Sequence, residues 1–318
     1  MEDKLLKGAY PAEEFADEID ALRTTGLQPG ASIGWKVFNG VYTIPKGQWS
    51  VVTGLSSSGK STWLDNVMVN MAREHGWKFL VCSPENQPIQ RHIASLMEIY
   101  VGKKFGLPDP KYPGRPDTMY MSVEEHRLAY AFVCKHFYFI NPPETEFTID
   151  GIQKIANKVY EDFFQFDGMV LDPYNEIEHK RPRGMNESDY VATVLHSFRD
   201  FARRLHIHFW FVAHPTKPVR LAVKYQKSDL ENEDVRKPVY QKITLFDVSG
   251  SSNWKSQCDF GIIVHRNLAD LAAPSLIEIE KVRFRENGQQ GTEVPLYYDT
   301  LCNRFVEHPD DLLINRRR

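Results

Sequence analysis

The sequence predicts an α/β fold in which a mostly parallel sheet is flanked by helices. Short apolar runs alternate with segments of helical periodicity, a glycine-rich loop joins one such run to a long helix, and polar residues directly follow several of the runs. The end of the chain alternates instead like successive strands, so a β extension is expected there. A short helix is expected ahead of the core.

Composition is that of an ordinary globular protein with enough length for a sizeable core: 318 residues, 42% hydrophobic and 25% charged. The net charge of −3 gives no global attraction to nucleic acid, so any such binding must use local basic clusters. Four widely spaced cysteines without a C-x-x-C motif predict buried free thiols rather than a zinc site or disulfides. Without an apolar segment of membrane-spanning length or a signal peptide, a soluble cytoplasmic protein is expected.

The glycine-rich loop from Gly54 to Ser61 matches the phosphate-binding pattern G-x-x-x-x-G-K-[ST]. A β-branched run, 49–53, precedes it and a segment of helical spacing, 62–72, follows, as this motif requires. Lys60 is expected to reach the β- and γ-phosphates of a nucleotide, and the Ser61 hydroxyl to bind Mg²⁺. The residues expected to bind the nucleotide here are Gly54, Ser56, Ser57, Ser58, Gly59, Lys60, Ser61 and Thr62. The alternative is a Gly/Ser-rich turn without a ligand.

Residues 9 to 24 predict a short amphipathic helix, because Ala12, Phe15, Ile19 and Leu22 recur at spacings of three and four. This helix precedes the nucleotide-binding core. It could close over its own domain or dock on a neighbouring protomer.

Three further polar residues stand where predicted strands end. Glu85 follows the strand 78–83, and its carboxylate could polarise the water that attacks a γ-phosphate, although exposed glutamates are common. Asp172 follows the predicted strand 168–171, at the position where a carboxylate supports Mg²⁺ in phosphate-binding sites. His214 follows the predicted strand 207–213. Because ligands of such sheets bind at the carboxyl edge, these residues and Lys60 are expected to share one edge.

Periodicity places the remaining elements in order along the chain. Helices are predicted from Ile89 to Tyr100, from Ser122 to Cys134 with a capping start at Ser122 and Glu125, from Thr148 to Phe164, and from Glu187 to Leu205. Strands are predicted at 137–140, 260–264, 276–284 and 293–298, with hairpin chemistry at Glu286-Asn287-Gly288.

Two segments are rich in basic residues. The first, 179–184, is a flexible loop that contains Lys180 and Arg181. The second, 217–242, has few large apolar residues and is predicted to be a mobile loop of net positive charge that contains Lys224 and Lys227. The alternative for the second segment is a solvated insertion without a partner.

The order of these motifs resembles the RecA-like helicase domain of the DnaB family, most closely its branch of phage primase-helicases and the mitochondrial helicase Twinkle. Its markers are Gly54 to Ser61, Ser83-Pro84-Glu85, Leu171-Asp172-Pro173, Val212-Ala213-His214, Asp247 to Ser251 with Cys258-Asp259, and Lys281 to Phe284. The resemblance covers nearly the whole chain. It implies a RecA-like P-loop NTPase core.

The resemblance also implies roles for individual residues, in an active site that lies between protomers of a ring. Glu85 would be the catalytic carboxylate, and His214 would sense the γ-phosphate and relay its state to DNA-binding loops. Lys281 and Arg283 resemble the pair that enters the neighbour's site, with Arg283 as the arginine finger and Arg285 as a near alternative.

Arg266 and Tyr298 resemble the residues that contact and stack on the nucleotide base, although a surface charge and a core aromatic are equally good interpretations. Lys180, Arg181, Lys224 and Lys227 are the residues expected to bind DNA.

The implied function is that of a replicative DNA helicase domain, which hydrolyses ATP or another NTP with Mg²⁺ and moves along single-stranded DNA as a ring, expected to be hexameric. The alternatives are a RecA-type recombinase or repair ATPase, and a nucleotide-switched loader without turnover. A separate primase and a polymerase are conceivable partners. The family's phage and mitochondrial members carry a primase-like domain before the helicase; here residues 1–33 leave room only for a linker helix before the ATPase domain at 34–318. Priming is therefore expected to be absent from this chain or to be supplied by a part that is not in this sequence.

Overall fold

The structure is a computed structural model that describes residues 9–108, 117–216, 220–225, 236–240, 242–267, 270 and 272–313. Within 220–225 and 236–240 it describes the backbone. No helix in these ranges is both long and apolar enough to cross a lipid bilayer.

Thirteen strands lie in the described ranges. They are β1 (Ala31–Ser32), β2 (Thr43–Ile44), β3 (Trp49–Thr53), β4 (Phe79–Cys82), β5 (Phe137–Ile140), β6 (Gly168–Leu171), β7 (His208–Val212), β8 (Arg220–Tyr225), β9 (Arg236–Tyr240), β10 (Phe260–His265), β11 (Ser275–Val282), β12 (Thr292–Asp299) and β13 (Arg304–Val306).

Seven α-helices accompany them in the described chain, together with several single turns of 3₁₀ helix. The α-helices are α1 (Ala16–Thr25), α2 (Lys60–His75), α3 (Ile89–Val101), α4 (Val123–His136), α5 (Ile149–Asp162), α6 (Glu187–Leu205) and α7 (Asn253–Gln257). The predicted helices of the core are present, and α6 has the predicted bounds. The helix after the phosphate loop begins at Lys60, two residues earlier than its apolar spacing indicated.

Nine strands form one sheet in the order β13-β12-β11-β10-β3-β7-β6-β4-β5. The six strands from β10 to β5 are parallel, whereas β10 to β13 pair antiparallel. The predicted α/β class and C-terminal β extension are therefore confirmed. The parallel pairing places the carboxyl ends of β3, β4, β6 and β7 at one edge of the sheet.

Helices cover both faces of the sheet, which explains why its parallel strands are almost wholly apolar. On β3, Val52 contributes to the core beneath α2, α3 and α4, whereas Trp49 and Val51 contribute to the core beneath α5, α6 and α7. Because successive side chains of a strand point to opposite faces, one short run serves both cores.

Local capping agrees with the sequence at α4. The Ser122 hydroxyl accepts a hydrogen bond from the Glu125 N–H, and the Glu125 carboxylate accepts one from the Ser122 N–H. This reciprocal pair satisfies two amides that a helix start leaves without intrahelical partners.

Two predictions were wrong. Residues 217–242 were predicted to be a loop, but β8 and β9 pair antiparallel there as a hairpin. All four cysteines are free thiols, as predicted; three are buried, but Cys134 lies on the exposed side of α4.

No residue of the N-terminal helix α1 is buried by the described chain. Its apolar side chains remain in solvent, with Phe15 44%, Ile19 59% and Leu22 40% exposed. Such a row of exposed apolar residues is suited to a partner surface.

Candidate active site

The phosphate loop joins the carboxyl end of β3 to the start of α2, and its turn requires glycine at both ends. Gly54 has φ +150° and Gly59 has φ +91°. A Cβ on Gly54 would clash with the Val264 carbonyl oxygen, so a larger residue would displace β10. Ser56 and Ser57 are exposed at the tip, whereas Ser58 is buried.

Lys60 is buried at the first position of α2. Its Nζ donates hydrogen bonds to the carbonyl oxygens of Gly54, at 3.1 Å, and Leu55, at 3.0 Å. Burial lowers the pKa of this ammonium, although the charges of Asp172 and Glu85 oppose the effect. A buried cation that is held by neutral carbonyls is well placed to exchange them for phosphate oxygens.

Asp172 follows β6 and is buried beside the phosphate loop. Burial raises the pKa of its carboxyl group to about 6, while a hydrogen bond from Ser61 and the charge of His92 oppose the rise. The carboxylate is therefore costly to keep charged without a cation. Mg²⁺ would supply one.

Glu85 and His214 meet across the same edge. The His214 Nε2 lies 3.3 Å from the Glu85 Oε1, and both side chains are partly exposed. The sheet thus brings together residues that follow four different strands, as the sequence predicted: Lys60, Ser61, Glu85, Asp172 and His214. Their catalytic roles remain predictions.

The residues present fit a nucleotide with Mg²⁺. The buried Ser58 Oγ has no hydrogen-bond partner among the described residues, and it lies inside the cradle that a polyphosphate would enter. Within the described chain no group of three or more His, Cys, Asp or Glu side chains forms a metal cage. Mg²⁺ commonly takes few protein ligands and completes its shell with phosphate and water.

A polar cavity of about 600 Å³ opens beside the loop and is lined by Ser61, Thr62 and Glu85. Asp65 and His92 lie deeper in its wall, and the His92 Nε2 lies 2.9 Å from the Asp65 Oδ1. Burial acts to lower the pKa of His92, but the charge and hydrogen bond of Asp65 outweigh it, so the pKa is raised. This ion pair ties α2, which carries Lys60, to α3, which follows Glu85.

Arg266 and Tyr298 contact one another. The Arg266 guanidinium lies 4.8 Å from the Tyr298 ring centroid, and the Tyr298 hydroxyl donates a hydrogen bond of 2.6 Å to Asn303 Oδ1. Tyr298 packs on Phe305, whose ring would lie 3.6 Å from a Cβ on Gly59. The pair therefore lies next to the phosphate loop, where a nucleotide base could insert between cation and ring.

Lys281 and Arg283 lie at the opposite edge of the sheet. Val282 pairs with Phe260, which pairs with Ser50 at the amino end of β3, four residues or roughly 13 Å before Gly54. Lys281 Nζ donates to the Ser256 carbonyl oxygen at 3.0 Å. These residues cannot enter the site of their own chain.

The Arg283 Nε lies 2.9 Å from Asp259 Oδ1, and its Nη2 donates to the Gln257 carbonyl oxygen at 2.7 Å. Arg285, the alternative finger, is exposed at the start of a 3₁₀ turn, Arg285–Asn287.

The predicted DNA-binding residues fall partly within the described chain. Lys180 and Arg181 are exposed between β6 and α6, and Lys180 Nζ lies 3.6 Å from Glu178 Oε2. Exposed pairs of this kind contribute about 0–1 kcal/mol, so the lysine is available to another anion. Lys224 lies in β8, where only the backbone is described, and Lys227 lies outside the described residues.

Sequence reasoning missed Asn175, Asp65 and His92. Asn175 accepts a hydrogen bond from the His214 backbone, and the buried pair flanks the site. The sequence could have indicated the Asp65–His92 pair, because Asp65 stands one helical turn after Ser61 and so lies on the same face of the helix.

No family model matches the chain. The chain is 35% identical to the Twinkle homolog protein, chloroplastic/mitochondrial, of Arabidopsis thaliana over 312 residues, which are 95% of this chain and 40% of that protein. It therefore spans about two fifths of that relative. The predicted resemblance to the Twinkle branch is confirmed. The cytoplasmic location stays a prediction, since the relative is described as chloroplastic/mitochondrial.

Two solved structures share the fold. The ATPase domain of G40P superposes with a TM-score of 0.67 at 12% identity and covers 93% of this chain and 98% of that one. The second is a DnaB-like replicative helicase that is described together with its interactions with primase. It superposes with a TM-score of 0.66 at 12% identity, and the match covers 94% of this chain and 67% of that one. These matches confirm the predicted RecA-like fold.

The Asp65–His92 pair predicts a loss of stability at alkaline pH. Because the native pKa of His92 is raised above its unfolded value of about 6.5, the pair's contribution is complete below that value and disappears as pH rises through the native pKa. The denaturant midpoint of the wild type should therefore fall as the pH is raised from about 6 to 9, and the slope of midpoint against pH should be flatter in His92→Gln. His308→Gln changes an exposed imidazole and should keep the wild-type slope. A wild-type slope in His92→Gln would contradict the assignment.

Proposed function

We propose that this chain is the ATPase motor of a replicative DNA helicase, since it has the RecA-like fold of DnaB-type helicase ATPase domains and aligns over nearly its whole length with part of a Twinkle homologue. The observation that carries the proposal is the convergence of Lys60, Ser61, Glu85, Asp172 and His214 on one sheet edge. The identity to a Twinkle homologue favours a helicase over the recombinase alternative.

In this proposal the substrates are ATP or another NTP and single-stranded DNA. Lys60 exchanges its loop carbonyls for β- and γ-phosphate oxygens, and Ser61 and Asp172 hold Mg²⁺, which neutralises phosphate charge when bound. Glu85 takes a proton from the attacking water as the water oxygen bonds to the γ-phosphorus. The bond from that phosphorus to the β–γ bridging oxygen breaks, and a nucleoside diphosphate leaves.

The proposal includes assembly into a ring, for which hexamers are the expected state. Two features of the single chain support a partner of the same kind. The apolar face of α1 is exposed in the described chain, and Arg283 lies at the sheet edge away from the phosphate loop. In a ring, α1 would dock on an adjacent protomer and Arg283 would approach that protomer's γ-phosphate. A separate primase and a polymerase remain proposed partners.

The first test separates nucleotide binding from hydrolysis. Lys60→Ala should abolish hydrolysis because it removes the cation that stabilises charge on the transferred phosphoryl group. Glu85→Gln should keep nucleotide binding but lose at least about a hundredfold in hydrolysis, since it removes the base and leaves the phosphate cradle intact. Binding is measured with a fluorescent nucleotide and turnover by phosphate release. Lys36→Ala, at an exposed lysine, is the control, and wild-type turnover in Glu85→Gln would contradict the assignment.

The second test concerns DNA. Replacing both Lys180 and Arg181 by Ala should weaken single-strand binding and reduce its salt slope by roughly 0.7 for each DNA phosphate that the variant no longer neutralises. Titrations at several salt concentrations measure this, with Lys135→Ala, an exposed lysine on α4, as the control. The same pair of changes at Lys224 and Lys227 examines the second basic segment. Unaltered affinity and slope in both double variants would make these ordinary solvated residues.

The third test asks whether Arg283 acts in trans. A guanidinium at the transferred phosphoryl group is worth about 10³ to 10⁵ in rate, so Arg283→Ala alone should be nearly inactive. Mixing it with inactive Lys60→Ala should restore activity, because some interfaces then combine an intact loop with an intact finger. Melting temperatures control for the contact with Asp259, and Arg285→Ala tests the alternative finger. Absence of recovery in confirmed mixed assemblies would place Arg283 in the fold.

A further inference from the structure

His214 is the point where four segments of the chain meet. Its backbone N–H donates a hydrogen bond of 2.8 Å to Asn175 Oδ1, and its carbonyl oxygen accepts one of 3.0 Å from the Ser249 N–H. Its imidazole approaches Glu85 at 3.3 Å. The segments after β4, β6 and β7 and the segment after the β8–β9 hairpin are therefore joined at one residue.

Asn175 lies between the metal-binding carboxylate and the first basic loop. It belongs to the 3₁₀ turn Tyr174–Glu176, three residues after Asp172 and five before Lys180. The turn is anchored by Tyr174, which is buried against Phe211 and Trp254. Because the turn is fixed on one side and leads into an exposed loop on the other, a force on that loop reaches the Asn175 side chain.

The hairpin is tied to the same residue from the other side. Pro215 pairs with Val248, and the Thr216 N–H and hydroxyl both donate to the Asp247 carbonyl oxygen, at 2.7 and 3.0 Å. The two ends of the second basic segment are thus held together directly beyond His214. The peptide of His214 is therefore held by Asn175 on one side and by Ser249 on the other.

The imidazole has few other restraints. Its Nδ1 is buried and has no hydrogen-bond partner among the described residues, so the ring is held by Glu85 and by its own backbone. The position of the His214 peptide therefore decides whether the ring stays on the Glu85 carboxylate or turns away. A Glu85 oxygen that contacts the imidazole is less accessible to the attacking water.

We propose that Asn175 is a positioning residue that couples occupation of the first basic loop, 179–184, by single-stranded DNA to the placement of His214, and thereby to the release of Glu85. This inference rests on the proposed function. The amide oxygen of Asn175 is the acceptor that carries the coupling, and the residue is exposed. Aspartate at this position keeps the acceptor, whereas alanine removes it.

The experiment compares Asn175→Ala with Asn175→Asp. Hydrolysis is measured without DNA and with saturating single-stranded DNA, and the ratio of the two rates is the readout. The ratio should fall at least about fivefold in Asn175→Ala, the lower end of typical allosteric couplings, and recover in Asn175→Asp. Hydrogen exchange of a peptide that contains His214 measures the bond itself and should be faster in Asn175→Ala only.

Asn186→Ala is the matched control. Asn186 stands at the other end of the same loop, where its Oδ1 accepts a hydrogen bond from the Asp189 N–H at the start of α6 and does not contact His214. Its removal should leave the ratio at the wild-type value.

The outcomes separate this inference from the proposed function. A wild type that DNA does not stimulate overturns the proposed function and the coupling with it. If DNA stimulates hydrolysis by the wild type and Asn175→Ala keeps the wild-type ratio of rates, the coupling alone is overturned. If Asn175→Ala loses both rates in the same proportion, Asn175 has a structural role and the coupling is overturned. Unchanged hydrogen exchange at His214 would also overturn the coupling.

Discussion

Parallel pairing of the six strands from β10 to β5 is the constraint on which the rest of the molecule depends. It forces the carboxyl ends of β3, β4, β6 and β7 to one edge, although their sequences are separated by helices. Lys60, Glu85, Asp172 and His214 are far apart in the chain and become neighbours for this reason alone. The helices on the two faces supply the apolar cover that such a sheet needs, so the same sheet organises both the site and the core.

The edge is electrostatically unfavourable without a ligand. Burial lowers the pKa of Lys60 and raises that of Asp172 to about 6, so the fold works against both charges that the chemistry needs. A polyphosphate with Mg²⁺ would supply the missing counter-charges. The arrangement is therefore better explained by ligand binding than by stability, since strongly perturbed ionisable groups in a cavity are typical of functional sites.

Much of the fold and the centre of the site could be predicted, because strand and helix periodicity and the phosphate loop are local signals. Asn175 could not, because its partner is a backbone amide 39 residues away and nothing in its neighbourhood indicates the contact. The hairpin was missed because charges dominate its composition. Yet Leu221, Val223 and Tyr225 alternate with smaller or charged residues, which is the pattern of β8. Cys134 was misplaced because its exposure depends on the rotational phase of α4, which a buried-thiol rule ignores.

The antiparallel extension explains why Arg283, the proposed arginine finger, is remote from the phosphate loop in a single chain. β10 runs parallel to β3 and ends near Gly54, and β11 must therefore return the chain to the amino edge, where Lys281 and Arg283 follow. Asp259, at the start of β10, holds Arg283 there and fixes its place relative to the sheet. A protomer built in this way presents its phosphate loop at one edge and a guanidinium at the other. Head-to-tail contacts between identical copies would join the two, and such contacts close into rings when the rotation between copies permits.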